Sequence, residues 1–549
     1  MEVVKINKEF IKSVFYQLVS IRSDSNSEYE NIIEDSLLRI IGQIGYFKDN
    51  NEQFGCYQLS EDVFNRSVVW ALLKGESDKI IVLVNHHDAV DTADFGKLSD
   101  LAFRPDDLKA ATILSTKNQK LIEELESDKW IIGRGTADMK GGVAIQLGVL
   151  EHFASLNKTE CNILFLSVPD EETLSKGMLA AVSLMDEIKT EHKLEYQIMI
   201  NSEPYFNLIK EKDIMHQGSV GKIMPVIYVR GIKSHISDPY SGMNPSLILS
   251  EIQRRTELNP SLCDVQGFDA SPPPIWINLK DRKKSYDASI PEAAVGYFNW
   301  LTFSRKPSDV IKNLKMISEH SLMDVIIKQQ QSYDAFCMMN HEESHKLEYE
   351  GEVLVFDELF MAAKEKGGDS FIEQYSTRLS SVKERLENNQ INLPDVTVDL
   401  IEFVAGYLDI QGPAVIIGIS GPYYPHITNE LINNGQRYEL EKRISKIAAE
   451  KYNITYQSSN YFMGMCDLSY AGIIGQQKDI DAIKNNSPGW DIVYKIPFEK
   501  MKKLEMPVLN LGPWGKDLHK TTERVFADDV FERIPNIMVD LIMEIKDIE

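Results

Sequence analysis

Three apolar, β-branched runs in the first part of the chain end alike. KIIVLVN (79–85) runs into His86, His87 and Asp88, and CNILFLSVP (161–169) into Asp170, Glu171 and Glu172. YQIMIN (196–201) runs through Ser202 into Glu203. Runs of this composition read as buried strands. Between them lie helical patterns, VAIQLGVLEHFASL (143–156) and KGMLAAVSLMDEI (176–188). Strands alternating with helices predict an open α/β sheet, and such sheets place their sites outside the carboxyl ends of the strands. The chain therefore puts imidazole and carboxylate where an α/β fold keeps its chemistry.

A fourth position belongs with these. IIGRGTADMKGGV (131–143) carries Asp138 just ahead of Gly141 and Gly142, where an extended segment enters a helix. A carboxylate held on such a turn is well placed to be a metal ligand, although alone it would pass for a helix cap. Five residues collect as ligand candidates: His86, Asp138, Glu172, Glu203 and the late His519. Singly, each has an ordinary explanation as a strand-end, capping or surface residue. Together, imidazole and carboxylate without thiolate suit zinc in a hydrolytic site, with cobalt or manganese as substitutes.

At 549 residues the chain is too long for one ordinary core, so two or more domains are expected. With 43% hydrophobic and 26% charged residues it reads as a soluble globular protein. The net charge of −24 argues against nucleic acid or an anionic membrane surface as partner. Five scattered cysteines without CxxC spacing fit reduced thiols rather than a disulfide framework. The amphipathic N-terminus lacks a signal peptide's apolar block, and no run approaches a membrane span. The cytoplasm is the expected compartment.

Residues 1–217 read as the first part of a catalytic domain, opening with two helices and carrying a polar loop from Asp91 to Asp128. From Gly218 the order strand, helix, strand, strand, helix, strand predicts a ferredoxin-like α+β unit over 218–427. A charged, mostly helical insertion interrupts it near 339–411. Residues 428–549 return to the catalytic domain, with a helical stretch LINNGQRYELEKRISKIAAEKY, the GMCDLSYAG segment and PVLNLGPWG before His519.

HHDAVD, GRGTADMKGG, VPDEET, NSEP and GPWGKDLHKTTE, in this order, resemble the successive blocks of the co-catalytic zinc hydrolases. That family includes aminoacylase, carboxypeptidase G, acetylornithine deacetylase and succinyl-diaminopimelate desuccinylase. Length, the PYYPH and CDLSYAG segments and the long loop before GRGTADMKGG make the branch of the arginine-utilisation protein RocB the most similar one. The resemblance implies a phosphorylase/hydrolase-like zinc-peptidase domain with an inserted lid. It also implies two divalent metal ions bridged by Asp138, with His86 and Glu203 completing one site and Glu172 and His519 the other. Glu171 would be the general base. Asp88, two residues past His86 and so pointing the same way, would fix that ring's tautomer.

GIKSHISDPYSGMNP matches the block whose histidine steadies the oxyanion, which nominates His235, donated across a homodimer in some relatives. A non-proline cis peptide is implied after Asp138. Two departures stand out: Asn85 where relatives have glycine, and an inserted domain longer than usual. The expected activity is hydrolysis of an N-acyl amino acid or short peptide, in arginine catabolism by the branch resemblance. The alternatives are an aminopeptidase or dipeptidase of the same fold, and a non-catalytic metal-dependent binding protein.

Overall fold

A computed structural model describes residues 6–156, 158–206, 213–267, 269–432 and 436–545. The start of the expected N-terminal helix (1–5) and residues 433–435 of the LINNGQ stretch lie outside them. The chain divides into two units: Met1–Val220 with Pro425–Ile474 and Pro497–Glu549, and Gly221–Tyr424 with Gly475–Ile496.

The first unit is built on an eight-stranded sheet. Its order is Phe54–Gln58, Ser67–Leu73, Asn162–Val168, Lys79–His86, Glu195–Asn201, Val508–Asn510, Asp213–His216, Tyr456–Ser459. The four strands from Asn162–Val168 to Val508–Asn510 are mutually parallel. Their carboxyl ends therefore share one edge, which is why the polar residues that follow them come together. Lys79–His86 and Asn162–Val168 are buried almost throughout, as strands covered on both faces must be.

Helix Gly141–Ala154 lies almost wholly inside, and its Gln146 donates to the Val84 and Ile200 carbonyls and to Ser202 Oγ. Against its Gly148 packs Ile11 of helix Lys8–Val19; a Cβ there would come within 2.3 Å of Ile11 Cγ1. Helix Ile534–Ile545 closes the same core through Ile537, Met538 and Leu541.

The Asp91–Asp128 stretch differs from the expected loop. It folds as a short 3₁₀ segment and two helices, Pro105–Ser115 and Gln119–Glu126. Leu108, Leu121 and Leu125 bury against Phe95, Ala102 and Ile132, a small core that the surrounding charges conceal in the sequence.

The second unit carries a five-stranded sheet ordered Ile275–Asp281, Ala293–Thr302, Gly221–Arg230, Ala414–Tyr424, Glu352–Val355. The first four strands, antiparallel, are the ferredoxin-like arrangement. Helices Pro245–Thr256 and Pro307–Met339 pack together over this sheet. The insertion has a structural part: its short strand extends the sheet, and its helices Phe356–Glu387 and Leu393–Leu408 bury Val226, Tyr228, Val295 and Ile416. Alternate residues of Gly221–Arg230 thus gain cover, and nine of its ten positions are buried. One boundary differs from the sequence reading: Gly475–Ile496, expected within the returning catalytic part, groups with this second unit.

Candidate metal centre

His86 ends its strand inside the protein, 1% exposed. Its Nδ1–H donates to the Asp88 carbonyl at 3.1 Å, with the Asp88 carboxylate 3.4 Å away. The backbone oxygen, more than the carboxylate expected from sequence, fixes the tautomer. Nε2 is left facing Asp138 Oδ1 at 3.1 Å and Glu203 Oε1 at 3.3 Å. On the far side of Asp138, His519 Nε2 lies 3.2 Å from Oδ2 and 3.1 Å from Glu172 Oε2. Two triads therefore form, His86–Asp138–Glu203 and Asp138–Glu172–His519, each with its donor atoms within 4.8 Å of one another and sharing Asp138. The Asp138–Met139 peptide is cis.

Glu171 and Glu172 diverge as two adjacent side chains with separate tasks must. Glu171 Oε2 sits 3.9 Å from His86 Nε2, while Glu172 reaches His519. Asp88 holds their backbone: its Oδ1 accepts from the Glu171 N–H at 3.1 Å and its Oδ2 from the Glu172 N–H at 3.2 Å and Ser25 Oγ at 2.7 Å. Asp170, at φ +69°, starts this turn. It is fixed on every side, donating its N–H to Glu30 and accepting from Arg66, Thr173 and the Lys176 N–H.

Asp138 is held from behind by Glu523, whose Oε1 accepts from the Ala137 and Asp138 N–H groups and whose Oε2 accepts from Arg134 at 2.9 Å. Behind the glycine pair the space is closed. A Cβ on Gly142 would meet Ser202 O at 2.4 Å and Met139 Cε at 2.6 Å.

The electrostatics test whether this donor set fits cations. Burial drives the Glu171 carboxyl well above its usual range, with Asp467, Glu203 and Glu172 adding to the rise against His86. Burial and Asp138 push Glu203 up to about 8. The hydrogen bonds of His519 to Asp138 and Glu172 raise it to about 11. Burial opposes charge on Asp138 and on His86, yet their mutual attraction, with His519 and Glu203, prevails and favours both charged forms. Carboxylates this close cannot all ionise unless positive charge lies among them. Neutral imidazole, however, aims a lone pair at the same oxygens. Glu172 Oε1 is buried without a hydrogen-bond partner. An acceptor-only pocket of this composition fits divalent cations.

His235 is placed differently. It belongs to the second unit and is exposed, with Nδ1 2.7 Å from Ser237 Oγ and accepting from the Ser237 N–H. Cys466 is fully buried. Sequence reasoning missed Glu523, Arg66, Glu30 and Asp467. The last is 1% exposed, has an unpartnered Oδ1, and is pushed up to about 7 by burial despite nearby His86. Glu523 falls four residues after His519, a proximity that could have flagged it; nothing in the sequence marks Arg66 or Glu30.

Four parallel strands whose ends bring His86, Glu172 and Glu203 beside Asp138 and His519, in two carboxylate–imidazole triads joined by one aspartate, are the framework of a metal-dependent hydrolase. The chain belongs to the peptidase family M20/M25/M40, whose description matches residues 116–544. Enzymes of this family are metal-dependent hydrolases acting on amide bonds. Over 543 residues, 97% of this chain and 95% of the relative, it is 31% identical to the uncharacterized protein YqjN of Bacillus subtilis. It is 28% identical over 537 residues to protein RocB of the same organism, covering 96% and 93%. Its fold is similar to that of an M20 family metallo-carboxypeptidase from Sulfolobus solfataricus, at TM-score 0.51 and 11% identity, covering 97% of this chain and 99% of that one. Among the described residues no helix is long and apolar enough to cross a membrane.

Proposed function

We propose that this chain is a dinuclear zinc amidohydrolase that releases an amino acid from an N-acyl or short-peptide precursor. The observation that carries the reading is the pair of triads sharing Asp138, with Glu171 beside them and engaged by neither. His86, Asp138 and Glu203 would hold one ion, and Asp138, Glu172 and His519 the other. The ions, when bound, supply Lewis acidity toward an amide carbonyl and acidify water.

The protein's own groups do the rest. Asp88 keeps the Nδ1 proton of His86 in place, so that Nε2 stays a donor of its lone pair. Glu171, whose proton affinity burial raises above that of an ordinary carboxylate, is the group suited to act as general base. It accepts one proton from water as the water oxygen bonds to the carbonyl carbon. It then delivers that proton to the amide nitrogen as the C–N bond breaks, leaving a carboxylic acid and an amine, and the acid's proton passes to the amine to give a carboxylate and an ammonium group. His235 is the proposed donor to the oxyanion, and losing such a donor costs on the order of 10²–10³ in kcat. The branch resemblance extends the reading to arginine and its relatives as the released amino acid.

The test is a screen of zinc-loaded protein against N-formyl, N-acetyl, N-succinyl and dipeptide forms of arginine, ornithine and citrulline. Glu171→Gln should retain metal and lose turnover. Turnover surviving in that variant, or none in wild type across the panel, would remove the proposal. Hydrolysis of the dipeptides alone would move the reading to a dipeptidase.

A further inference from the structure

Within the second unit, helices Pro245–Thr256 and Pro307–Met339 and the loop leading into the latter enclose a cleft of about 550 Å³. That is the size of a small-molecule site. Its walls carry Arg254, Arg255, Arg305 and His320, with Asn259 and Asn313, and no carboxylate is among the lining residues. In a chain of net charge −24, three guanidinium groups around one concavity are against the grain of the composition.

Arg305 is built into place. The Phe303, Ser304 and Arg305 N–H groups all donate to one oxygen of the buried Asp264, at 2.9, 2.8 and 2.6 Å. Its guanidinium lies 5.6 Å over the ring of the fully buried Trp300 and donates through Nη2 to the Cys263 carbonyl at 3.1 Å. Its Nε is buried with no hydrogen-bond partner, and no carboxylate pairs with it among the described residues. Arg305 is therefore a guanidinium held in place by Trp300 and the Cys263 carbonyl and neutralised by no carboxylate among the described residues.

Arg254 and Arg255 are held by Glu251, which takes Arg254 through Nε and Nη2 and Arg255 through Nε, while Asp324 takes Arg255 through Nη2. Each guanidinium has five N–H donors, so several remain on both.

We propose that this cleft binds a small phosphate group, as a phosphate monoester or pyrophosphate. Three guanidinium groups offer more donors than the two oxygens of one carboxylate accept. A dianionic phosphoryl group, with three oxygens, offers an acceptor to each of the three guanidinium groups. Leu262, Met316 and Ile317 complete the wall and give the ester's organic part an apolar contact. This site is independent of the reading of the metal centre.

The experiment is isothermal titration of the zinc-loaded full chain with inorganic phosphate, pyrophosphate and phenyl phosphate, in wild type, Arg305→Met and Arg254→Ala. Phosphates also bind metal centres, so the comparison between variants, which share that centre unaltered, isolates the cleft. Saturable binding is expected, weakened about tenfold or more in Arg305→Met, as for loss of a charge-assisted hydrogen-bond pair. Arg254→Ala, at a helical position whose side chain is 67% exposed, should weaken it in the same direction. Tighter binding of phenyl phosphate than of inorganic phosphate would identify an ester as the ligand, and tightest binding of pyrophosphate would identify the diphosphate. Equal affinity in wild type and both variants, or no saturable binding by any probe, would overturn the site.

Discussion

Arg66 is the residue whose removal best tests how the catalytic loop is held. It is 0% exposed, and so are the side chains of two of its partners, Glu30 and Asp170, with Asp62 at 1%. One guanidinium reaches all three, at 2.8 Å to Glu30, 2.8 Å to Asp170 and 2.6 Å to Asp62. Glu30 in turn accepts from the Asp170 N–H at 2.8 Å. Burial, with Asp88 nearby, already pushes Glu30 up to about 8 even with Arg66 present. Arg66→Met fills the volume but leaves three carboxylates shut off from solvent without their cation.

Breaking a buried ion pair from one side costs roughly 3–5 kcal/mol. For a large unit, at about 2 °C per kcal/mol, that is a fall of roughly 6–10 °C in Tm. Because Asp170 opens the turn carrying Glu171 and Glu172, kcat should also fall, by up to about 10² if the pair moves by an ångström. Thermal unfolding and steady-state kinetics of zinc-loaded protein provide the assays. Arg66→Lys, one point charge for a three-way fork, should lie between wild type and Arg66→Met. If Arg66→Met melts within about 2 °C of wild type, the network is not what holds this loop, and the premise taken from buried ion pairs fails here.

Other outcomes follow from the same geometry. Dialysis against chelator should abolish turnover and lower Tm, both restored by zinc; at about 1,000 times Kd a bound ion adds about 4 kcal/mol, so an unchanged Tm would deny a folded-state site. His519→Ala removes a ligand from one triad only, so elemental analysis should find half the wild-type metal content. Gly142→Ala forces a Cβ against the Ser202 carbonyl and should cost about 1–3 kcal/mol in unfolding free energy; a neutral result would show that the helix start can shift. Burial lowers Lys140, which is 0% exposed, to about 7. Between that value and the ordinary lysine range the unfolded chain binds the extra proton, so the contribution of Lys140 to stability rises with pH across this window, against the falling contributions of His519 and Glu203. Lys140→Met should flatten that slope in denaturation curves taken at successive pH values.

What the sequence disclosed and what it hid follow one physical division. Lys79–His86 and Asn162–Val168 were legible because a parallel strand covered on both faces must be apolar throughout, whatever its neighbours. Once those strands were placed side by side, the positions after them had to share an edge, and His86, Glu172 and Glu203 came with it. Helix Gln119–Glu126 stayed hidden for the opposite reason: its burial is limited to Leu121 and Leu125, and its charges resemble a loop's. Arg66, Glu30 and Glu523 lie deeper still. Each is a charged residue whose burial makes sense only beside a partner from a distant segment, such as Glu523 behind the Asp138 turn at 386 and 385 positions' separation. Periodicity reports which faces avoid water, and it carries no information about which buried charges answer one another. In this chain three of the five ligands, His86, Glu172 and Glu203, follow strands that periodicity can see, while the groups that aim them belong to pairings that only the fold reveals.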